Sequence, residues 1–153
     1  MNSPGWTLLI ASGTLEPPVN DHHLRVLLVE DEFLIRWSIA EVLEHAGHQV
    51  VQTADAAETL QALSSGPPPD VVLLDLRLPD ARDFTLLERI RKIAPSAVVV
   101  MMTAHGTPEI TAEAIRLGAR RVMNKPFDMH AVEPALLEAF GGSPANGSRA
   151  VSG

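Results

Sequence analysis

The chain of 153 residues has a formal net charge of −7, is 46% hydrophobic and contains no cysteine. Its length and apolar content suffice for one domain whose core needs no crosslinks. The lack of cysteine excludes disulfides, thiolate metal sites and a cysteine nucleophile, and it favours a reducing, cytoplasmic location. The acidic balance argues against direct nucleic-acid binding, and the longest apolar stretches, 6–11 and 97–102, are too short for membrane insertion.

Both ends of the chain have compositions that disfavour regular structure. Residues 1–24 contain glycines, a proline pair and the polar run NDHH, so we predict a flexible N-terminal extension. Two alternatives stay open: the stretch TLLIA adds a strand or helix, or the start of the chain is assigned too early. Residues 141–153 are rich in Gly, Ser, Ala and Asn and predict a flexible C-terminal tail, which leaves residues 25–140 as the folded domain.

Between residues 25 and 140, short apolar runs alternate with segments of helical periodicity. In chain order, the predicted elements are strand 25–30, helix 33–46, strand 48–54, a helix from Asp55, strand 71–75, helix 84–93, strand 97–103, a helix from Pro108, strand 120–125 and helix 129–140. Gly47, the segment SSGPPP, Pro95 and Gly118 end the first four helices. The pattern predicts five βα units.

The predicted strands are continuous apolar runs, which is typical of a parallel sheet covered by helices on both faces. Right-handed crossovers then predict a doubly wound α/β fold with five parallel strands in the flavodoxin-like order 2-1-3-4-5. In this topology, ligands bind at the carboxyl ends of the strands, close to the switch point between strands one and three.

Polar residues of complementary chemistry follow four of these strands. Glu30 and Asp31 follow the first strand, Asp75 ends the third, Thr103 ends the fourth and Lys125 ends the fifth. Crowded carboxylates raise one another's pKa, so the cluster needs a cation to stay ionised. Oxygen ligands without histidine or cysteine favour Mg²⁺. A carboxylate nucleophile, a metal, a hydroxyl and an ammonium together form a set for phosphoryl transfer.

The segments LLVEDE, VVLLDLRLPD, MMTA and NKPF, in this order and spacing, resemble the receiver domain of bacterial two-component response regulators. The resemblance covers about residues 25–140 and implies the receiver (βα)5 fold. It also implies a phosphoacceptor signalling module rather than an enzyme, with Asp75 phosphorylated by a sensor histidine kinase or a histidine phosphotransfer protein. With no output domain after Phe140, the chain resembles a single-domain regulator that binds a downstream protein target, and a homodimer is also compatible with the family.

The resemblance assigns the metal ligands residue by residue. Asp31 would bind Mg²⁺ directly together with Asp75, Glu30 would reach it through water, and the backbone carbonyl of Arg77 would complete the protein ligands.

The resemblance also assigns the switch. Thr103 and Lys125 would hold the phosphoryl oxygens, and Pro126 would follow a cis peptide bond. The Thr103 hydroxyl would then move toward the phosphoryl group and shift the face of helix four, strand five and helix five. Receivers usually carry Tyr or Phe three residues before the lysine, where this chain has Val122, so we expect altered coupling to that face.

Three further positions distinguish this chain from the usual pattern. Asp83 stands where the family normally has glycine, and we expect it to be the N-cap of helix three. Arg77 and His105 occupy the two variable positions that flank the acyl phosphate. We expect this pair to set the phosphate lifetime, with His105 adding a pH dependence near neutrality.

Two other classes of function, a binding module and an enzyme, compete with this interpretation. A pseudo-receiver would bind partners without phosphorylation, and Val122 and Asp83 leave room for it. A phosphatase with an aspartyl-phosphate intermediate would need a second acid where Arg77 stands, and a flavin or nucleotide site would need a Gly/Ser/Thr-rich loop in place of EDEFLIR.

Overall fold

The computed structural model describes residues 23–141, in which strands and helices alternate. In chain order the elements are β1 (Arg25–Val29), α1 (Phe33–His45), β2 (Gln49–Thr53), α2 (Ala56–Ser65), β3 (Val71–Asp75), α3 (Thr85–Ile93), β4 (Val98–Thr103), α4 (Pro108–Arg116), β5 (Ala119–Asn124) and α5 (Val132–Gly141). A 3-10 turn, Met129–Ala131, precedes α5, where the sequence predicted one continuous helix. The predicted extension up to residue 22, including TLLIA, and the tail after 141 lie outside the described residues.

The strands form one parallel sheet in the order β2-β1-β3-β4-β5, which confirms the predicted topology. Every residue of β3 is buried, as expected for a central strand covered on both faces. The edge strand β2 differs, because Val51 is 51% exposed and only Thr53 is fully buried. Continuous burial is therefore a property of the inner strands and not of the edge.

The core consists of two clusters, one on each face of the sheet. Alternate strand residues enter opposite clusters because successive side chains of a strand point to opposite faces. The first cluster packs the sheet against α1 and α5, and the second packs it against α2, α3 and α4. Leu24 is buried in the first cluster, so the packed region includes a residue of the predicted extension.

Helix α3 begins at Thr85, one residue later than predicted. Phe84 occupies the N-cap position, and the carboxylate of Asp83 accepts the Thr85 amide at 3.0 Å. The expectation that Asp83 is the N-cap is therefore wrong by one residue, although its side chain does satisfy a first-turn amide. None of the helices within residues 23–141 has both the length and the apolar character that crossing a membrane requires.

Candidate functional site

The carboxyl ends of β1, β3, β4 and β5 meet at one edge of the sheet. Carboxylate oxygens of Glu30, Asp31 and Asp75 lie within 4.8 Å of one another. The Lys125 ammonium donates hydrogen bonds to Glu30 Oε1 at 2.8 Å and to Asp75 Oδ2 at 3.3 Å. The topology therefore brings together four residues that are separated by up to 95 positions in the chain.

Glu30 is a nearly completely buried carboxylate at the end of β1, with 1% of its surface exposed. Its Oε2 accepts the amide of Glu32 at 3.1 Å, while Oε1 accepts from Lys125. Its own amide donates to the Thr53 carbonyl at 3.1 Å and so holds the end of β1 against β2. Asp31, in contrast, is exposed and available to a ligand from solvent.

Asp75 ends β3 and is 5% exposed. Burial raises the pKa of Asp75 to about 6, and the nearby charge of Glu30 adds to this effect. Lys125 and the Arg77 amide, which donates to Asp75 Oδ1 at 3.1 Å, oppose the rise without cancelling it. The site thus has an excess of negative charge that a cation would relieve.

The main chain at Lys125 is fixed by a hydrogen bond to the end of β4 and by a cis peptide bond to the next residue. Its amide donates to the Thr103 carbonyl at 2.7 Å, and the Lys125–Pro126 peptide bond is cis. Burial disfavours the charged ammonium, but the hydrogen bond to Glu30 and the charge of Asp75 outweigh it, so the pKa of Lys125 is raised. Lys125 therefore remains a cation between two carboxylates.

Thr103 is buried at the end of β4, where its hydroxyl oxygen accepts the His105 amide at 3.1 Å. In the same loop, a Cβ placed on Gly106 would lie 1.9 Å from Oδ1 of Asn124, the register partner of Thr103 on β5. A side chain at position 106 would therefore have to displace the Asn124 amide group. Sequence reasoning missed the contact, because neither residue belongs to a motif that signals it.

The remaining predicted positions lie on the loops after β3 and β4 and in β5. The side chains of Arg77 and His105 are exposed, on the loops after β3 and β4. Val122 is half-buried and packs against the second core cluster, so an aliphatic side chain occupies the position that the family usually gives to an aromatic ring.

Helix α1 contributes residues beside the site that the sequence did not single out. Arg36 donates to the Glu30 carbonyl at 2.9 Å, and its guanidinium lies 5.6 Å from the ring centre of Phe33. Phe33, Leu34 and Trp37 are 59%, 67% and 49% exposed. Trp37 is therefore largely a surface residue.

The chain is similar in sequence to a known protein family and to several characterised proteins. The family model described as the response regulator receiver domain matches residues 26–136. Sporulation initiation phosphotransferase F of Bacillus subtilis (strain 168) is 32% identical over 112 residues, which cover 73% of this chain and 90% of that protein. The DNA-binding transcriptional regulator NtrC of Escherichia coli (strain K12) is 36% identical over 104 residues, 68% of this chain but 22% of NtrC.

A solved structure shows the same fold. The CheY-like response regulator receiver domain protein from Methanospirillum hungatei JF-1 superposes with a TM-score of 0.71 at 27% identity. The match covers 76% of this chain and 93% of that one. The chain thus spans nearly all of some relatives and about a fifth of NtrC.

Proposed function

Since this chain belongs to the response regulator receiver domain family, we propose that it is a signalling module in which Asp75 receives a phosphoryl group from a histidine kinase or a histidine phosphotransfer protein. The observation that carries the proposal is the position of Lys125 Nζ, which bonds to both Glu30 and Asp75 inside the carboxylate cluster. A strand-end cap would need neither the second buried carboxylate nor the ammonium. A phosphoacceptor site needs both, because charge develops there during transfer.

The donor set fits Mg²⁺. Three carboxylates within 4.8 Å, one of them exposed and one with a raised pKa, are hard oxygen ligands around an excess of negative charge. We assign Asp31, Asp75 and the Arg77 carbonyl as direct ligands, with Glu30 acting through water. The ion would neutralise charge on the phosphoryl oxygens during transfer.

The proposed step is a displacement at phosphorus. A carboxylate oxygen of Asp75 attacks the phosphorus of a phosphohistidine, so that a P–O bond forms and the P–N bond breaks. The electron pair of the broken bond leaves with the imidazole nitrogen, and the product is an acyl phosphate. Lys125 and Thr103 then bind phosphoryl oxygens. The Thr103 oxygen accepts the His105 amide through a lone pair, so its O–H can donate to the phosphoryl group while that bond persists.

Movement of the Thr103 hydroxyl toward the phosphoryl group would carry the bonded His105 amide with it and so shift the loop that follows β4. Because this loop leads into α4, we propose that phosphorylation alters the surface formed by α4, β5 and α5, which then binds a downstream protein or a second copy of the chain. Val122 lies in β5 beneath this surface. We further propose that Arg77 and His105 limit the access of water to the acyl phosphate and so set its lifetime.

The test is intact mass after incubation with Mg²⁺ and a phosphorylated donor, either acetyl phosphate or a phosphorylated histidine kinase. A single phosphoryl adduct is expected for the wild-type chain and for Asp70→Asn, a matched control at the opposite end of β3. No adduct is expected for Asp75→Asn or with excess chelator. A wild-type chain that accepts nothing from either donor would refute the proposal and favour the pseudo-receiver.

A further inference from the structure

Asp80 caps a helix to which it does not belong. Its Oδ1 accepts the amide of Ala56 at 2.8 Å, and its Oδ2 accepts the amide of Ala57 at 3.2 Å. Both amides are in the first turn of α2, which already has its own N-cap, because Asp55 accepts the amide of Glu58 at 2.8 Å. A helix leaves its first amides without partners inside the helix, so Asp80 satisfies the two that Asp55 does not reach.

On its own loop, Asp80 stands in a tight turn. The amide of Leu78 donates to the Ala81 carbonyl at 2.9 Å, and the reverse bond measures 3.2 Å. Arg77 directly precedes this turn, and its amide donates to Asp75 Oδ1 at 3.1 Å. Along the chain, the Arg77 carbonyl therefore lies between two hydrogen-bonded points. The Arg77 amide, which is bonded to Asp75, precedes it, and the turn that carries Asp80 follows it.

The start of α2 is also joined to Glu30, the buried carboxylate at the end of β1. Thr59, in the first turn, is fully buried, and its hydroxyl lies 2.8 Å from the hydroxyl of Thr53. The Thr53 carbonyl accepts the Glu30 amide at 3.1 Å. Hydrogen bonds, together with the backbone of β2 and of the first turn of α2, thus connect Glu30 to Asp80.

The sheet itself does not provide this connection, because pairing between β1 and β3 ends at Val29 and Leu74. We propose that Asp80 is a positioning residue for the metal site, which fixes the Arg77 carbonyl relative to Glu30 and Asp31 by joining the loop after β3 to α2. This inference rests on the proposed function, since the Arg77 carbonyl is a ligand only if Mg²⁺ binds there. Metal ligands held by such outer contacts lose affinity when the contacts are removed.

A cap that merely stabilises α2 is the competing explanation, and Asp83 provides the matched control. Asp83 is exposed, lies in the same loop and accepts a first-turn amide, but that amide belongs to α3. The pKa of both carboxyls is lowered by hydrogen bonds from backbone amides. The largest effect comes from the Ala56 amide for Asp80 and from the Thr85 amide for Asp83. Replacing either one with alanine removes one negative charge and a carboxylate that accepts first-turn amides, two for Asp80 and one for Asp83. Only Asp80→Ala removes hydrogen bonds that join the loop to α2.

The experiment titrates Mg²⁺ calorimetrically into the wild-type chain, Asp80→Ala, Asp80→Asn and Asp83→Ala. Asp80→Ala is expected to weaken Mg²⁺ binding about tenfold and Asp83→Ala less than about twofold. Asp80→Asn keeps an acceptor for Ala56 but not for Ala57, so its effect should be intermediate. Unfolding midpoints of all four chains verify that each variant is folded under the conditions of the titration.

A second readout needs no metal. Hydrogen exchange of the Leu78 and Ala81 amides in chelator should accelerate in Asp80→Ala and stay unchanged in Asp83→Ala. Unchanged exchange, or Mg²⁺ affinity equal to wild type in Asp80→Ala, would overturn the inference. If the wild-type chain binds no Mg²⁺, the metal assignment of the proposed function fails, and the exchange rates alone decide whether Asp80 holds the loop.

Discussion

Lys125 Nζ lies 2.8 Å from Oε1 of Glu30, so the ammonium after β5 neutralises a buried carboxylate at the end of β1. The same ammonium lies 3.3 Å from Asp75 Oδ2. One lysine thus partners both buried carboxylates of the site, and its loss would leave them facing each other without a protein cation.

Replacement of Lys125 by alanine is expected to lower the free energy of unfolding in chelator by about 2 kcal/mol, the usual scale for a hydrogen bond to a charged group. Mg²⁺ should restore more stability to this variant than to wild type, because the ion would take over part of the missing charge. Urea unfolding with and without Mg²⁺ measures both effects. Lys92→Ala, which removes the only other lysine from the exposed side of α3, is the control; a comparable loss in the control would contradict the assignment.

The raised pKa of Asp75 predicts an unusual pH dependence of stability without metal. Since the pKa of Asp75 is about 6 in the folded chain against an ordinary value of 3.8, the folded state binds more protons between these pH values. This group's contribution to stability therefore falls as pH rises from about 4 to about 6 and is constant above. Asp75→Asn should accordingly stabilise the chain more at pH 7.5 than at pH 5.

Urea unfolding in chelator at the two pH values measures the difference. An equal effect of Asp75→Asn at both would mean that the carboxyl does not titrate in this range.

A side chain at position 106 is expected to displace the Asn124 amide group at a modest cost in stability. The Cβ of Gly106→Ala would lie 1.9 Å from Asn124 Oδ1, so we expect a loss of about 1 kcal/mol from overpacking. Shortening the facing side chain in the double variant Gly106→Ala, Asn124→Ala should recover most of it. A double-mutant cycle of unfolding free energies gives the coupling, and additive effects would show that the two residues do not interact.

Val122→Tyr is expected to strengthen the link between Thr103 and the surface of α4, β5 and α5. A large ring in place of the half-buried valine can exchange between inward and outward rotamers, which an aliphatic side chain cannot do. The measurement compares the amide chemical shifts of that surface with and without beryllofluoride and Mg²⁺, which stand in for the phosphoryl group and its metal. Larger changes in Val122→Tyr than in wild type are expected. Val122→Leu keeps an aliphatic group and serves as the control; an unchanged response in Val122→Tyr would remove the role assigned to this position.

Arg77→Ala and His105→Ala are expected to shorten the phosphate lifetime several-fold, because each removes an exposed side chain beside the acyl phosphate. The His105→Ala effect should differ between pH 6 and pH 8, the range in which histidine changes charge. Decay of the adduct after removal of the donor gives the rates. Arg82 is an exposed arginine in the same loop as Arg77, and the phosphoryl adduct of Arg82→Ala should decay at the wild-type rate. A lifetime that is the same in all four chains would exclude both residues.

The strand order and the membership of the acidic cluster could be predicted from the sequence. Continuous apolar runs and the handedness of βα crossovers limit the topology to few choices, and the parallel order then brings the strand ends that carry Glu30, Asp75, Thr103 and Lys125 to one edge. These features depend on local patterns and on a general rule of chain connection, so no knowledge of side-chain positions was needed.

Tertiary structure alone decided how these residues are held. The bonds from Lys125 to Glu30 and from the first-turn amides of α2 to Asp80 join elements that are not adjacent in the sequence pattern. A hydrogen bond requires an alignment within fractions of an ångström, and only the packing of helices on the sheet sets such distances. The raised pKa of Asp75 has the same origin, because burial and the approach of Glu30 are properties of the folded chain.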